Sequence, residues 1–185
     1  MKNTYLIGYF PLISIILFSL SFAIYGEMEA LILLKSIGVY DGMREFFSVT
    51  GIKLSLLLAA FICFFMLFAA LKLISDTILE FSLLFFSKDS EGESLKSVRK
   101  VSSIYVIGGI LSLLMVKSIL LIIAIFIITT IVAFVYFVNI ISPTLSNAGL
   151  IGLIFFHTMI WSILLLTVFL SLMKLYNSLI ASLPV

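Results

Sequence analysis

Apolar residues fall in long blocks along this chain, not in the stripes that mark the buried face of a soluble helix. No formal charge interrupts Tyr5 to Tyr25, Leu54 to Leu71 or Leu150 to Met173. The longest block, Val101 to Ser142, carries one charge, Lys117. As a single helix it would measure about 63 Å at ~1.5 Å per residue, twice the ~30 Å of bilayer hydrocarbon. Two crossings that turn near Lys117 lift the ammonium to the surface. One crossing would leave it buried at about 2.5–3.5 kcal/mol on insertion scales. The pattern therefore predicts an all-α, polytopic integral membrane protein with five transmembrane helices, at about 5–25, 54–75, 101–116, 119–141 and 150–173. Four helices is the alternative if the long block crosses once.

The first span resembles a signal peptide only loosely. Lys2 gives a thin basic flank and Ser21-Phe22-Ala23 a weak cleavage site, but the apolar run is too long and Pro11 interrupts it. It is expected to remain as a span, with Pro11 tolerated because neighbouring helices can satisfy the freed carbonyl. The connection from Glu27 to Gly51 mixes Glu27, Glu29 and Lys35 with Ala30 to Leu34, Tyr40, Phe46 and Phe47. It predicts a short interfacial helix with its aromatics at headgroup depth. Beyond Leu71, Lys72, Asp76 and Glu80 follow at i,i+4 spacing and read as a solvated salt-bridge ladder. The apolar positions from Phe81 to Phe86 then read as a helical extension at the membrane surface. Lys88, Lys96, Arg99 and Lys100 make the central connection the most basic, so the N-terminus and the loop at 76–100 are expected to be cytoplasmic.

Composition agrees with this picture. Hydrophobic residues make up 63% of the 185 positions and charged residues 11%, with a mean hydropathy of +1.36. An ordinary soluble domain holds about 25% charged residues, so lipid is part of this chain's solvent. A net charge of +2, with no basic run interleaved with aromatics, speaks against nucleic acid as a partner. The single cysteine, Cys63, has no partner for an internal disulfide. The whole chain, 1–185, reads as one transmembrane domain.

Candidate chemistry is sparse. His157, the sole histidine, lies within the last apolar block, and an intramembrane ionisable group is a functional candidate by default. A proton relay would want a carboxylate nearby, and all the acidic residues fall outside the apolar cores read above. A neutral imidazole hydrogen-bonded to Thr158, Ser112 or a carbonyl is the plainer reading, with Trp161 one turn away on the same face. Lys117 serves as an interfacial anchor or as a partner for an anion. Thr129 and Thr130 can bond back to their own helix, and Asn139 completes the set of intramembrane polar residues.

Gly108, Gly109 and Ser112 form a small-residue pattern, as do Ala59 and Cys63. Gly149 and Gly152 share one side of the last helix. Such positions let helices approach closely, within one chain or between copies. No catalytic motif, nucleophile–base set, metal-ligand cluster or cofactor fingerprint is present. The expected role is non-enzymatic, through helix–helix contacts with itself or another membrane protein. The alternative is a transporter or channel component with a polar path near His157 and Lys117.

The opening Lys2-Asn3-Thr4-Tyr5-Leu6-Ile7-Gly8-Tyr9-Phe10-Pro11-Leu12, with the overall length, resembles the YufK-like family of small bacterial membrane proteins. That resemblance implies a cell-membrane location. It carries over no catalytic, cofactor or binding residue.

Overall fold

The computed structural model describes residues 4–87 and 99–182. Six α-helices account for most of them: α1 (Thr4–Ser36), α2 (Val39–Phe46), α3 (Val49–Phe86), α4 (Ser102–Leu114), α5 (Ile119–Ile141) and α6 (Asn147–Ser182). Short 3-10 turns at Arg99–Val101 and Ser142–Thr144 lead into α4 and out of α5. α1, α3, α5 and α6 are each long and apolar enough to cross a membrane, and α4 is an apolar helix of 13 residues.

Local chemistry sets the ends of these helices. α1 continues through Pro11 and through Ala30–Leu34 to Ser36, so the short helix of the first connection is Val39–Phe46. The break between them falls at Gly38, whose φ of 75° is a left-handed backbone that a side chain would strain. Lys35 Nζ lies 5.1 Å above the Tyr40 ring and seats α2 against the end of α1. The Ser48 hydroxyl accepts from the Gly51 amide at 3.1 Å to start α3, and Ser146 does the same for Gly149 at 3.1 Å to start α6. The α4–α5 turn uses neither glycine nor proline. It closes through Met115 N–H to Ser112 O and Ser118 N–H to Met115 O, and leaves Lys117 exposed.

Side-chain contacts fix the directions. Phe18 meets Phe68 and Phe22 meets Phe64, so α1 and α3 are antiparallel. Gly109 packs on Leu17, and Ser112 bonds Ser21, so α4 runs parallel to α1. Gly108 faces Thr129, and α5 returns antiparallel to α4. α6 starts against the end of α3, where Gly152 packs on Phe86 and Phe156 meets Phe85 and Phe86. α1, α3, α4, α5 and α6 thus alternate in direction, and the end of α6 lies on the side opposite the start of α1.

The packing has two layers. An aromatic cluster of Phe18, Phe68 and Phe126, with centroids 5.2–5.9 Å apart, joins α1, α3 and α5. Toward the end shared by the start of α1 and the end of α3, an aliphatic core forms around Leu83, Val101, Ala133, Phe137, Ile141 and Leu153. The helical extension expected at Phe81–Phe86 is the continuation of α3, packed on α5 and α6, so the expected loop at 76–100 is corrected at its start: Asp76–Phe86 is helix. Residues 88–98 of the expected cytoplasmic loop lie outside the described residues.

Candidate functional site

The depth of each residue follows from α5. Its 23 residues carry no formal charge and measure about 35 Å, the one match to the ~30 Å hydrocarbon among the long helices. The middle of α5 is Thr130, one turn past Phe126. α3 runs in the same direction as α5 and meets Phe126 through Phe68 at 5.3 Å. One turn past Phe68 is Lys72. The Lys72–Asp76 ion pair of α3 therefore lies level with the middle of α5. Tyr105 of α4 is near both Asp76 and Thr130 at this level.

Lys72 Nζ donates to Asp76 Oδ1 within one helix. The two side chains remain 33% and 49% exposed, and Thr130 across from them is exposed as well. A lone charge at this depth costs about 2.5–3.5 kcal/mol, so the pair persists because each charge offsets the other. Four groups from three helices, Lys72, Asp76, Tyr105 and Thr130, thus form a polar layer between the aromatic cluster and the aliphatic core. Hydropathy read along α3 alone places Lys72 and Asp76 at the end of a span. The signal that locates them is the phenylalanine spacing that docks α3 on α1 and α5.

His157 belongs to a different environment. Its ring stacks on Phe134 at 4.7 Å and lies 6.2 Å from Phe137. The Trp161 indole N–H donates to its Nε2 at 3.2 Å. The imidazole proton consequently sits on Nδ1, which is buried with no partner among the described residues. Thr158 and Ser112 are committed elsewhere, Thr158 to Ile154 O and Ser112 to Ser21 and Gly109 O.

The intramembrane polar residues named from the sequence do not converge. Lys117 is on the α4–α5 turn, Thr129 is buried against Gly108, and Asn139 is exposed near the far end of α5. Along α5, Lys117 and Asn139 stand about 33 Å apart. The small residues divide by use. Gly108, Gly109 and Ser112 are buried contacts of α4 with α5 and α1, while Gly149 and Gly152 approach α3. Ala59 and Cys63, with Ser55 one turn earlier, are exposed on α3.

α6 leaves the bundle partway along its length. Leu153, His157, Ile160 and Leu164 form its inward face and are at least partly buried, whereas residues 165–182 are exposed throughout. The same 3–4 spacing continues on that face as Thr167, Ser171, Lys174 and Ser178. The face changes from apolar to polar where the helix departs.

Taken together, these features define a polytopic helical membrane protein whose interior is packed by phenylalanines and small residues around one polar layer. The chain belongs to the family described as "Family of unknown function (DUF5366)", which matches residues 27–184. It is also similar to the "Uncharacterized membrane protein YufK" of Bacillus subtilis (strain 168), with 46% identity over 185 residues and 100% of both chains covered. The resemblance drawn from residues 2–12 therefore extends over the full length. No solved structure matches the chain.

Proposed function

We propose that this chain is a non-enzymatic, multi-pass protein of the cell membrane that acts through helix–helix contacts, with a second copy of itself as partner. The supporting observation is the outer end of the α1–α3 hairpin. Ile32, Leu33, Leu54 and Leu58 are all exposed there. Leu54 and Ile32 stand about 27 Å from the polar layer along their helices, and a ~20° tilt shortens this only to about 25 Å. The hydrocarbon edge lies at about 15 Å. Lipid tails do not reach these side chains, and an apolar surface beyond the tails calls for protein cover. The exposed Ser55, Ala59 and Cys63 lie one turn apart on the same helix and allow close approach of a second α3. The basic residues from Lys88 to Lys100 support a cytoplasmic N-terminus and α3–α4 connection. The hairpin tip and the end of α6 are then external.

Cys63 makes a direct test available, because it is the single cysteine. Copper-phenanthroline oxidation of native membranes is expected to give a reducible dimer that disappears in Cys63→Ser. Monomer alone, both for the parent and for Ala59→Cys in the Cys63→Ser background, would overturn the reading.

A second reading, transport along a polar path, is favoured by the mid-depth Lys72–Asp76 pair. Its site is that pair and not His157 with Lys117.

A further inference from the structure

Above the α4–α5 turn the chain continues in two places that do not touch. Ser112 of α4 bonds Ser21 of α1, so the turn at Lys117 stands level with Gly26. α1 runs on to Ser36, about 15 Å further out, and α3 descends from the same height. α6 reaches that height as well. Gly152 packs on Phe86, and thirty residues carry α6 to Ser182 as thirty carry α3 back to Leu56. Both rises measure about 45 Å. Ile180 is then level with Leu58, and Leu179 with Ala59, about 20 Å from the polar layer and past the ~15 Å edge of the hydrocarbon.

Each of these ends lacks a neighbour. Ile32, Leu33, Leu54 and Leu58 are exposed on the hairpin, and Leu175, Leu179 and Ile180 on α6. Residues 165–182 are exposed throughout, so one chain does not cover its own hairpin. A second copy can. A two-fold axis along the membrane normal preserves height, so surfaces level in one chain are level between two. The charges agree. Lys174 is the sole charge of α6, and its level is that of Phe64, which meets Phe22 of α1. Glu27 stands about 7 Å further out, within reach of a lysine stem extended toward water. Neither Lys174 nor Glu27 has an ion-pair partner among the described residues.

We propose that the outer half of α6 seats on the α1–α3 hairpin of a second copy, and that copy's α6 on the first, with Lys174 of each chain paired to Glu27 of the other. The contact is isologous, used twice, and closes at two copies. It rests on the self-association reading and names what covers the hairpin. Leu54 and Leu58 precede Ser55 and Ala59 by one position, about 100° around α3. The seat for α6 therefore lies beside the line along which a second α3 approaches.

The test uses full-length chains in the Cys63→Ser background, two differently tagged copies expressed together in native membranes. One carries Leu58→Cys and the other Ile180→Cys. Copper-phenanthroline is expected to give a reducible dimer that holds both tags. Leu165→Cys in place of Ile180→Cys lies about 22 Å lower along α6 and should give several-fold less. Adding Lys174→Glu to the Ile180→Cys chain should lower the mixed dimer several-fold, and adding Glu27→Lys to the Leu58→Cys chain should restore it. Membrane insertion and circular dichroism confirm that each variant is folded. No mixed dimer, while the Cys63 parent still crosslinks, would overturn this contact and leave self-association standing. Loss of the Cys63 dimer as well would remove both. The contact is equally overturned if Leu165→Cys crosslinks as strongly as Ile180→Cys, or if the charge exchange fails to restore the yield. It is overturned too if Leu58→Cys and Ile180→Cys placed in one chain close a bond within the monomer, which would make each chain's own α6 the cover.

Discussion

Gly108→Ala probes the tightest glycine contact among the described residues. A Cβ built there would stand 2.6 Å from Thr129 Cγ2 and 2.9 Å from Thr129 Cβ, with Thr129 Oγ1 nearer still. No rotamer of Thr129 moves its Cβ, so relief requires α4 and α5 to separate. Overpacking of this kind costs about 1–3 kcal/mol. Removing a helical glycine returns up to about 1 kcal/mol; because the clash reaches the immovable Thr129 Cβ, the upper end of that cost applies and the net loss is about 2 kcal/mol. Thr129→Ala deletes the two nearest atoms and should recover at least ~1 kcal/mol in the double variant, a coupling well above experimental scatter. The assay is reversible unfolding in mixed micelles titrated with sodium dodecyl sulfate, followed by circular dichroism. A Gly108→Ala protein as stable as its parent would refute the contact. Strictly additive losses for the two substitutions would refute its assignment to Thr129.

Gly152→Ala meets Phe86 Cε1 at 2.5 Å and Cδ1 at 2.9 Å, but this is the outer end of a ring that can swing. The expected loss is about 1 kcal/mol, relieved by Phe86→Leu in the same unfolding assay. His157→Phe forfeits the Trp161 bond, about 0.6 kcal/mol in a membrane interior, and removes a buried N–H that has no partner, about 1–3 kcal/mol. The variant should match or exceed the parent, and a fall of more than ~2 kcal/mol would show that the imidazole Nδ1–H holds a hydrogen bond. Reporters fused after Asn3 and after Val185 should report opposite sides of the membrane. Both inside would contradict the alternating directions of α1, α3, α4, α5 and α6.

Much of this fold is legible from single-residue properties. The long apolar blocks mark the four long helices, and Lys117 marks the turn between α4 and α5 although neither glycine nor proline stands there. A charge that is costly to bury predicts a turn as well as a flexible residue does. The small residues at 108, 109, 112, 149 and 152 read as approach points from the sequence. Nothing in the spacing, however, says which helix approaches. Gly108 needs Thr129 on the returning helix, and Gly152 needs Phe86 from 66 positions earlier. The register of α3 was hidden for a related reason. Its uncharged run, Leu54–Leu71, has the length of a span, and hydropathy weighs each helix by itself. Level is set by neighbours: Phe68 docks between Phe18 and Phe126 and brings the next turn, with Lys72 and Asp76, opposite the middle of α5. On the depth proposed above, one register shift accounts for the half-exposed pair and for the exposed hairpin tip together.

The shift can be tested by how the ion pair responds to removal. On a water-bathed helix an i,i+4 pair contributes about 0.3–0.5 kcal/mol, so Asp76→Leu would be nearly silent. At bilayer depth the same substitution strands the Lys72 ammonium. Breaking a fully buried pair costs about 3–5 kcal/mol, and the exposure of 33% and 49% reduces the expectation here to about 1–3 kcal/mol. The double variant Lys72→Leu with Asp76→Leu separates the cases further. Apolar replacement of a buried pair is often neutral or stabilising, so the double variant should be more stable than Asp76→Leu and at least equal to the parent. Unfolding in mixed micelles, checked by the proportion of protein inserted in membranes, reads both. A silent Asp76→Leu, or a double variant weaker than the single, would return Lys72 and Asp76 to the membrane surface and the hairpin tip to the lipid.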